Sequence, residues 1–323
     1  MFQYLVILLD DTSTSFCHYN IPKSRAGRLI DIEDLKKGIQ FAMKENLMIQ
    51  FAYPDEELPK HYMEVIDTID HIDIKPCNDY DIQDADVLVF NRIPTNLKEA
   101  NYPTSIFRLS PLEFFEFPVY LAKEAFNYIK RLNIIIKDVD AVLAWNFEKY
   151  KKKVEELAKL VEGEYSKGHI PQWNIITDRM MLSKMNNCGA GDTTITLAPN
   201  GKFYICPAFY YDNMGDSVGD VNRGLEIPNQ HLYKLEFAPI CRHCDAYQCK
   251  RCVWLNRKMT LEVNTPSHEQ CVAAHIERNA SRKVLNNIRQ EGEFFPEITI
   301  KEIDYLDPFE NKEQWKQENL YGR

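Results

Sequence analysis

Seven of the nine cysteines in this chain lie between positions 188 and 271, at spacings that suit metal ligation. They are Cys188, Cys206, Cys241, Cys244, Cys249, Cys252 and Cys271. The densest part is a pair of Cys-x-x-Cys motifs, at 241–244 and 249–252, with four residues between them. Thiols at this density require either a disulfide framework or a metal.

The rest of the sequence favours metal over disulfides. The apolar run Met1–Leu9 leads into Asp10 without a basic leader or a cleavage site, so it reads as a buried strand rather than a signal peptide. No segment approaches the roughly 20 apolar residues that span a membrane. We therefore expect a cytoplasmic protein with reduced thiols and no membrane partner. The net charge of −9 also argues against a nucleic-acid partner.

Spacing alone leaves two metals open. A zinc ribbon separates its two knuckles by about 12 to 20 residues, whereas only four residues separate Cys244 from Cys249. Seven thiols also divide poorly into two closed tetrahedral zinc sites, and His243 is awkwardly placed to complete one. Iron–sulfur clusters are held by thiolates and tolerate an odd ligand, so the spacing favours iron–sulfur and keeps zinc as the alternative.

The first 178 residues or so alternate short apolar runs with helical patterns. The predicted strands cover 4–9, 47–51, 87–90, 106–109, 132–136 and 173–176, and the longest predicted helices cover 111–128 and 147–163. Such alternation predicts an α/β fold with a parallel sheet covered by helices. A partial (β/α) barrel and a doubly wound sheet both satisfy it.

The alternation stops near residue 180, where Gly, Asn, Asp and Cys become frequent. Asn200-Gly201 between two apolar runs predicts a β-hairpin over 193–206. Little else is periodic before the predicted helix over 275–291, so we expect metal to hold this region together. The tail after Phe294 is acidic and aromatic and suits an arm onto a partner.

The order Cys188-x12-Gly201-x4-Cys206, then the two Cys-x-x-Cys motifs, then Cys271, resembles the SPASM domain of radical S-adenosylmethionine (SAM) enzymes that mature peptides. The central spacings are each one residue shorter than that family's C-x2-C-x5-C-x3-C. The resemblance implies two auxiliary [4Fe–4S] clusters and a preceding partial (β/α)6 barrel. Carried over by position, the first cluster takes Cys188, Cys206 and Cys252, and the second takes Cys241, Cys244, Cys249 and Cys271. The fourth ligand of the first cluster stays unidentified.

Such a barrel carries C-x3-C-x2-C after its first strand, for the cluster that cleaves SAM. Here Asp10, Thr14 and Cys17 occupy those places, and only Cys17 and the aromatic Phe16 before it match. The family's Gly-Gly-Glu-Pro stretch after the second strand is replaced around Tyr53-Pro54. Two features of the radical site are lost together, so the resemblance implies a degenerate member that binds no SAM and has no catalytic residues of its own. The opening segment 4–20 is similar to the CXXX-repeat peptide maturase group.

These observations predict a degenerate radical SAM-like partial barrel over 1–180, a Cys-rich SPASM domain with a hairpin and short helices over 181–280, and a C-terminal helix and tail over 281–323. The implied function is an auxiliary, non-radical-generating subunit in the maturation of a ribosomal peptide. Its expected partners are a radical SAM maturase, as a heterodimer, and a Cys-containing precursor peptide. Two alternatives remain: a zinc-binding scaffold without a redox role, and a radical enzyme with unfamiliar ligands.

Overall fold

The computed structural model describes residues 1–77, 85–94, 97, 103–137, 146–212, 217–247, 249 and 252–300. The chain divides into two compact units. The first comprises Met1–Val142 and Cys188–Phe237, and the second comprises Leu143–Asn187 and Ala238–Arg323. The three-part division drawn from sequence pattern, with boundaries at 180 and 280, stays a prediction.

The elements are as follows. The strands are β1 (Tyr4–Leu8), β2 (Met48–Ala52), β3 (His71–Pro76), β4 (Val87–Phe90), β5 (Thr104–Leu109), β6 (Arg131–Ile136), β7 (Gln172–Trp173), β8 (Thr194–Leu197), β9 (Phe203–Tyr204), β10 (Gly219–Asp220) and β11 (Gly224–Leu225). The helices are α1 (Ile32–Lys44), α2 (Lys60–Ile66), α3 (Pro111–Glu116), α4 (Val119–Ala125), α5 (Phe147–Tyr165), α6 (Thr177–Met181), α7 (Pro207–Tyr211), α8 (Val253–Thr260) and α9 (His268–Ile288). Short 3-10 helices cover Gln230–Tyr233, Leu235–Phe237 and Cys241–His243.

The first unit is built on a mostly parallel sheet. Its strands lie in the order β6-β5-β4-β3-β2-β1-β8-β9, and every neighbouring pair from β6 to β8 is parallel. Only β8 and β9 are antiparallel, as the predicted hairpin. The predicted α/β class with a parallel sheet is confirmed.

The strand β3 was missed by the sequence prediction, although its pattern is regular. His71, Asp73 and Lys75 alternate with Ile72 and Ile74, which is the two-residue period of a strand. The carboxylate of Asp73 pairs with both of the other polar side chains: it lies 3.2 Å from His71 Nε2 and 2.8 Å from Lys75 Nζ. This pairing lets a charged strand occupy the middle of the sheet.

The mostly helical stretch predicted over 111–128 is divided into two helices. The helix α3 begins at a capping box formed by Ser110 and Glu113 and ends before Phe117, and α4 begins after Pro118. A proline has no N–H to donate and its ring clashes with the preceding turn, so one continuous helix is excluded. The helix predicted to end at Gly163 continues to Tyr165.

The two faces of the sheet have different neighbours. On one face α1 lies very close to the strands: a Cβ added to Gly38 would be 2.3 Å from Leu197 Cδ2 and 3.7 Å from Ile7 Cδ1. The opposite face carries an apolar cluster of Ile74, Val89 and Ile106, against which Phe16 packs. The loop after β1 therefore enters the face that α1 does not cover.

The hairpin turn provides a test of backbone strain. Gly201 has φ +73°, and a Cβ there would lie 2.4 Å from Asp34 Oδ2. Gly201→Ala should lower the free energy of unfolding by about 1 to 2 kcal/mol because of the left-handed backbone. The contact of the new methyl group with Asp34 should lower it further. Gly224→Ala is the control, because its φ is +87° but no atom of the described residues lies within 4 Å of the added Cβ. Urea denaturation should show the larger loss for Gly201→Ala, and equal losses would contradict the role of Asp34.

The second unit contains the packed helices α5 and α9. The hydroxyl of Tyr150 on α5 donates a hydrogen bond to Glu277 Oε1 on α9, and both residues are buried. The α9 residue Ser281 donates to the Ile176 carbonyl, 2.6 Å away, just before α6. In the described part of the chain, no helix combines the length and apolar character needed to cross a membrane.

Candidate metal centre

The four ligands predicted for the second cluster all lie in the second unit, and we call them the four-cysteine site: Cys241, Cys244, Cys249 and Cys271. Cys241 begins a 3-10 helix, and Cys244 ends it with its N–H donating to the Cys241 carbonyl at 3.1 Å. Cys271 lies in the first turn of α9. Cys241 and Cys271 are buried, and the other two are partly buried.

The start of α9 is fixed by a capping box. Ser267 Oγ accepts from the Gln270 N–H, and Gln270 Oε1 accepts from the Ser267 N–H. The Gln270 side chain also donates to Asn256 Oδ1 on α8 at 3.0 Å. This places Cys271 at a defined position beside the Cys-x-x-Cys segment.

The thiols are close enough to influence one another. Burial raises the pKa of the Cys249 thiol well above its ordinary value, and Cys241, Cys244, Cys271 and Glu277 raise it further. Burial also raises the pKa of Cys244, against the effect of the Ala246 N–H, which donates to its sulfur at 3.4 Å. A bound metal reverses this preference, because ligating thiols are deprotonated.

The chemistry of the four-cysteine site fits a thiolate-bound metal or iron–sulfur cluster, since four sulfur donors come from one largely buried region. Within the described ranges, however, no three His, Cys, Asp or Glu side chains form a group that could hold a metal ion. The ligand assignment stays a prediction.

A histidine missed by the sequence analysis lies beside these thiols. His275 Nε2 is 3.7 Å from Cys244 Sγ, and His275 is buried. It follows Cys271 by one helical turn on α9, so its position on the same helix face was the available signal. His243, the histidine considered from sequence, is exposed.

A small pocket borders Cys249. Its charged lining consists of Arg179 from α6 and Glu277 and Arg278 from α9. All three side chains are buried. Sequence reasoning missed these charges, because no motif links Arg179 to the cysteines.

The ligands assigned to the first cluster are divided between the units. Cys188 and Cys206 lie in the first unit and Cys252 in the second. Cys188 is exposed, Cys206 is the N-cap of α7, and Cys252 is the N-cap of α8. Their assignment to one cluster stays a prediction.

Asp10, Thr14 and Cys17 lie in the loop after β1, where several backbone and side-chain atoms make local contacts. Asp10 Oδ1 accepts from the N–H and the hydroxyl of Thr12, and the Thr14 N–H donates to the Tyr53 carbonyl at 2.8 Å. Thr14 Oγ1 is buried without a partner in the described residues. A carboxylate, a hydroxyl and the single thiol of Cys17 do not match the thiolates that hold iron–sulfur clusters.

The same loop is anchored to the carboxyl ends of the strands. Arg108 on β5 donates from Nε to the Cys17 carbonyl at 2.9 Å and from Nη2 to the Tyr19 carbonyl at 2.5 Å. His18 Nδ1 lies 2.9 Å from the Ile136 carbonyl at the end of β6. Backbone carbonyls of the loop thus satisfy a buried guanidinium.

The helix α7, which starts after Cys206, holds the loop from the other side. The Tyr210 hydroxyl donates to Asp11 Oδ1, and the ring of Tyr211 stacks on Tyr19 with centroids 5.5 Å apart. The Arg25 guanidinium lies 4.5 Å from the Tyr210 ring centroid. Burial raises the pKa of Tyr211, so its hydroxyl stays protonated.

An aromatic side chain packs directly after β2. Tyr53 is 7% exposed, and its N–H donates to the Ile74 carbonyl at 3.0 Å. The ammonium of Lys75 lies 4.9 Å from its ring centroid. Burial raises the pKa of Tyr53 far above its ordinary value, with Asp73 adding to the shift. This strand end therefore presents a packed, neutral phenol instead of open backbone.

The sequence matches no protein-family profile and no curated protein. Solved structures do resemble the fold. The structure of native anSMEcpe with bound AdoMet and Cp18Cys peptide is 14% identical, covers 89% of this chain and 99% of its own, and has a TM-score of 0.55. Hexahistidine-tagged anSMEcpe with bound AdoMet gives 13% identity, 89% and 96% coverage and a TM-score of 0.55. Streptococcus suis SuiB bound to precursor peptide SuiA gives 13% identity, 75% and 67% coverage and a TM-score of 0.43. The parallel sheet and helices thus share the fold of the anSMEcpe structures.

Proposed function

We propose that this protein is an auxiliary subunit of a ribosomal-peptide maturation system and does not generate a radical itself. It acts in the cytoplasm with a partner radical SAM maturase on a Cys-containing precursor peptide. Two [4Fe–4S] clusters, when bound, supply electron transfer or an iron that holds the peptide. The observation that carries this proposal is the loop after β1, which offers Asp10, Thr14 and one thiol at the place of three cluster ligands.

The loop contacts support the loss of radical chemistry. The carbonyls of Cys17 and Tyr19 are engaged by Arg108, and Phe16 packs into the apolar cluster of the uncovered sheet face. A cluster and SAM would need this loop to open and to present two further thiolates. The sequence has none there: apart from Cys17, the only cysteine of the first 187 residues is Cys77.

The peptide partner is supported by fold analogy. The anSMEcpe structure, at a TM-score of 0.55, contains a bound peptide as well as AdoMet. A shared fold does not fix a shared activity. We therefore infer a peptide partner for this chain and assign the catalytic step to the partner maturase.

Anaerobically purified protein should contain about eight irons and eight sulfides per chain, as two clusters of the [4Fe–4S] type require. Reduced with dithionite, it should give no 5′-deoxyadenosine from SAM. In the positive control, the partner maturase is added and should cleave SAM. Cleavage of SAM by the isolated chain would refute the auxiliary role, and fewer than about four irons per chain would refute the two-cluster assignment.

A zinc-binding scaffold is the second candidate, and His275 is the observation that favours it. A buried imidazole 3.7 Å from Cys244 Sγ adds nitrogen to the four-cysteine site, and mixed Cys and His ligands are typical of structural zinc. Anaerobic protein with stoichiometric zinc and no acid-labile sulfide would support this candidate. Sulfide in proportion to iron would exclude it.

A further inference from the structure

Two arginines beside the four-cysteine site are unusually buried. Arg179 is 3% exposed and Arg278 is 1% exposed, and both line the pocket that borders Cys249. Removing a guanidinium from water is costly unless opposite charge and hydrogen bonds offset the lost hydration. The anionic groups near these two cations therefore indicate which negative charge the pocket can stabilise.

The carboxylates nearby do not match the two cations fully. Arg278 Nη1 lies 2.8 Å from Asp245 Oδ1, but Arg179 Nη2 lies 4.0 Å from Asp245 Oδ2. Glu277, the carboxylate that lines the pocket, accepts from the hydroxyl of Tyr150. Both guanidinium groups thus lie within 4.0 Å of the single carboxylate of Asp245.

Arg179 is the less well paired of the two. Its guanidinium carbon lies 4.3 Å from the Tyr247 ring centroid, and its Nε has no hydrogen-bond partner in the described residues. Burial lowers the pKa of Arg179, and Asp245, Tyr247 and Cys244 act against that shift. Its positive charge is therefore available to a further anionic group on the cysteine side.

Both cations lie against the site itself. Arg179 and Arg278 line the same pocket as Cys249, and both lie within 4.0 Å of Asp245, which directly follows Cys244. The two guanidinium groups therefore lie beside the segment that carries two thiols of the four-cysteine site. Four thiolates around a zinc ion or an iron–sulfur core leave a net negative charge in a largely buried place.

We propose that Arg179 and Arg278 are the counter-charges of the metal centre at the four-cysteine site. This inference rests on the proposed ligand role of those thiols. The two guanidinium groups offset the negative charge of the bound centre and so favour its retention. When an external reductant such as dithionite adds one electron to an iron–sulfur centre, its negative charge rises by one, and the arginines stabilise the reduced form more than the oxidised form.

The test compares full-length Arg179→Gln and Arg278→Gln with Arg179→Lys and Arg278→Lys, all purified anaerobically. The glutamine variants remove the charge, whereas the lysine variants keep it. Arg282→Gln is the matched control, because Arg282 follows Arg278 by one turn of α9 and lines a different groove. Circular dichroism establishes that each variant is folded.

Metal retention against a chelator should weaken by about 10- to 100-fold in the glutamine variants, the usual cost of removing an outer partner of a metal site. The midpoint potential of the iron–sulfur signal in a dithionite titration should fall, with each tenfold change in the oxidised-to-reduced ratio equal to about 59 mV. The lysine variants and Arg282→Gln should stay close to the wild type.

Folded glutamine variants with wild-type retention and potential would overturn the inference. Lysine variants that lose metal as readily as the glutamine variants would also overturn it, because charge would then not be the cause. A wild-type chain that binds no metal would refute the four-cysteine site itself. SAM cleavage by the wild type would refute the auxiliary role but would not change the interpretation of the arginine variants.

Discussion

Arg108→Ala should lower the free energy of unfolding by about 1 to 3 kcal/mol, because a buried acceptor that loses its donor costs about that much. The side chain is 5% exposed and also donates to Asn91 Oδ1 at 2.7 Å and Asn20 Oδ1 at 3.1 Å, but both asparagines are exposed to water, and the Tyr19 carbonyl also accepts from the Ser15 hydroxyl at 2.6 Å. The loss therefore falls chiefly on the Cys17 carbonyl, which accepts from Arg108 Nε at 2.9 Å. Urea denaturation, with hydrogen exchange of residues 10–20, measures the effect.

Arg223→Ala is the control for that experiment. Its side chain is 84% exposed and pairs with Asp220 at 2.7 Å, so its loss should leave the free energy of unfolding almost unchanged, as is usual for ion pairs in water. Arg108→Ala should also speed exchange in the loop after β1 and leave α9 unchanged. If loop exchange stays at the wild-type rate, the guanidinium is not what anchors the loop.

Cys249→Ser should remove about four irons per chain, from about eight to about four, because the site loses one of the four thiolates that hold such a cluster. Cys252→Ser should remove the other four. Cys77→Ser is the matched control: it changes a cysteine that directly follows β3 in the first unit, outside both predicted ligand sets. Iron and sulfide analysis with electron paramagnetic resonance of the reduced protein distinguishes the two losses.

Unchanged iron in Cys249→Ser would contradict the ligand assignment. A loss of all iron in Cys249→Ser, with none in Cys77→Ser, would indicate instead that the two predicted clusters form or fail together. Serine keeps the size of the side chain, so folding should be preserved.

Much of the sheet followed from the sequence, because buried parallel strands are short apolar runs. Five strands, β1, β2, β4, β5 and β6, lie within two residues of their predicted bounds. The strand β3 escaped because its alternating charges look solvent-exposed until Asp73 is seen to pair with both neighbours. The break between α3 and α4 was not located within the predicted helical stretch, although the missing N–H of Pro118 marks it.

The metal centre was less predictable than the sheet. Cysteine spacing indicates which residues are candidate ligands, but it carries no information about the charges around them. His275 was within reach of a helical-wheel argument from Cys271, whereas Arg179 comes from α6, far away in sequence. Contacts between distant segments depend on how α6 and α9 pack, which no local pattern records.

The helix α9 carries three features of the site within about two turns. They are the candidate ligand Cys271, the imidazole of His275 beside the thiols, and the buried guanidinium of Arg278. Their relative directions are fixed by the helical repeat, because each residue rotates the chain by about 100°. Inserting or deleting one residue between Cys271 and Arg278 would swing the cation away from the pocket even though every side chain survived. In related sequences, therefore, the distance between these positions should be more constrained than the loop that joins the two Cys-x-x-Cys motifs.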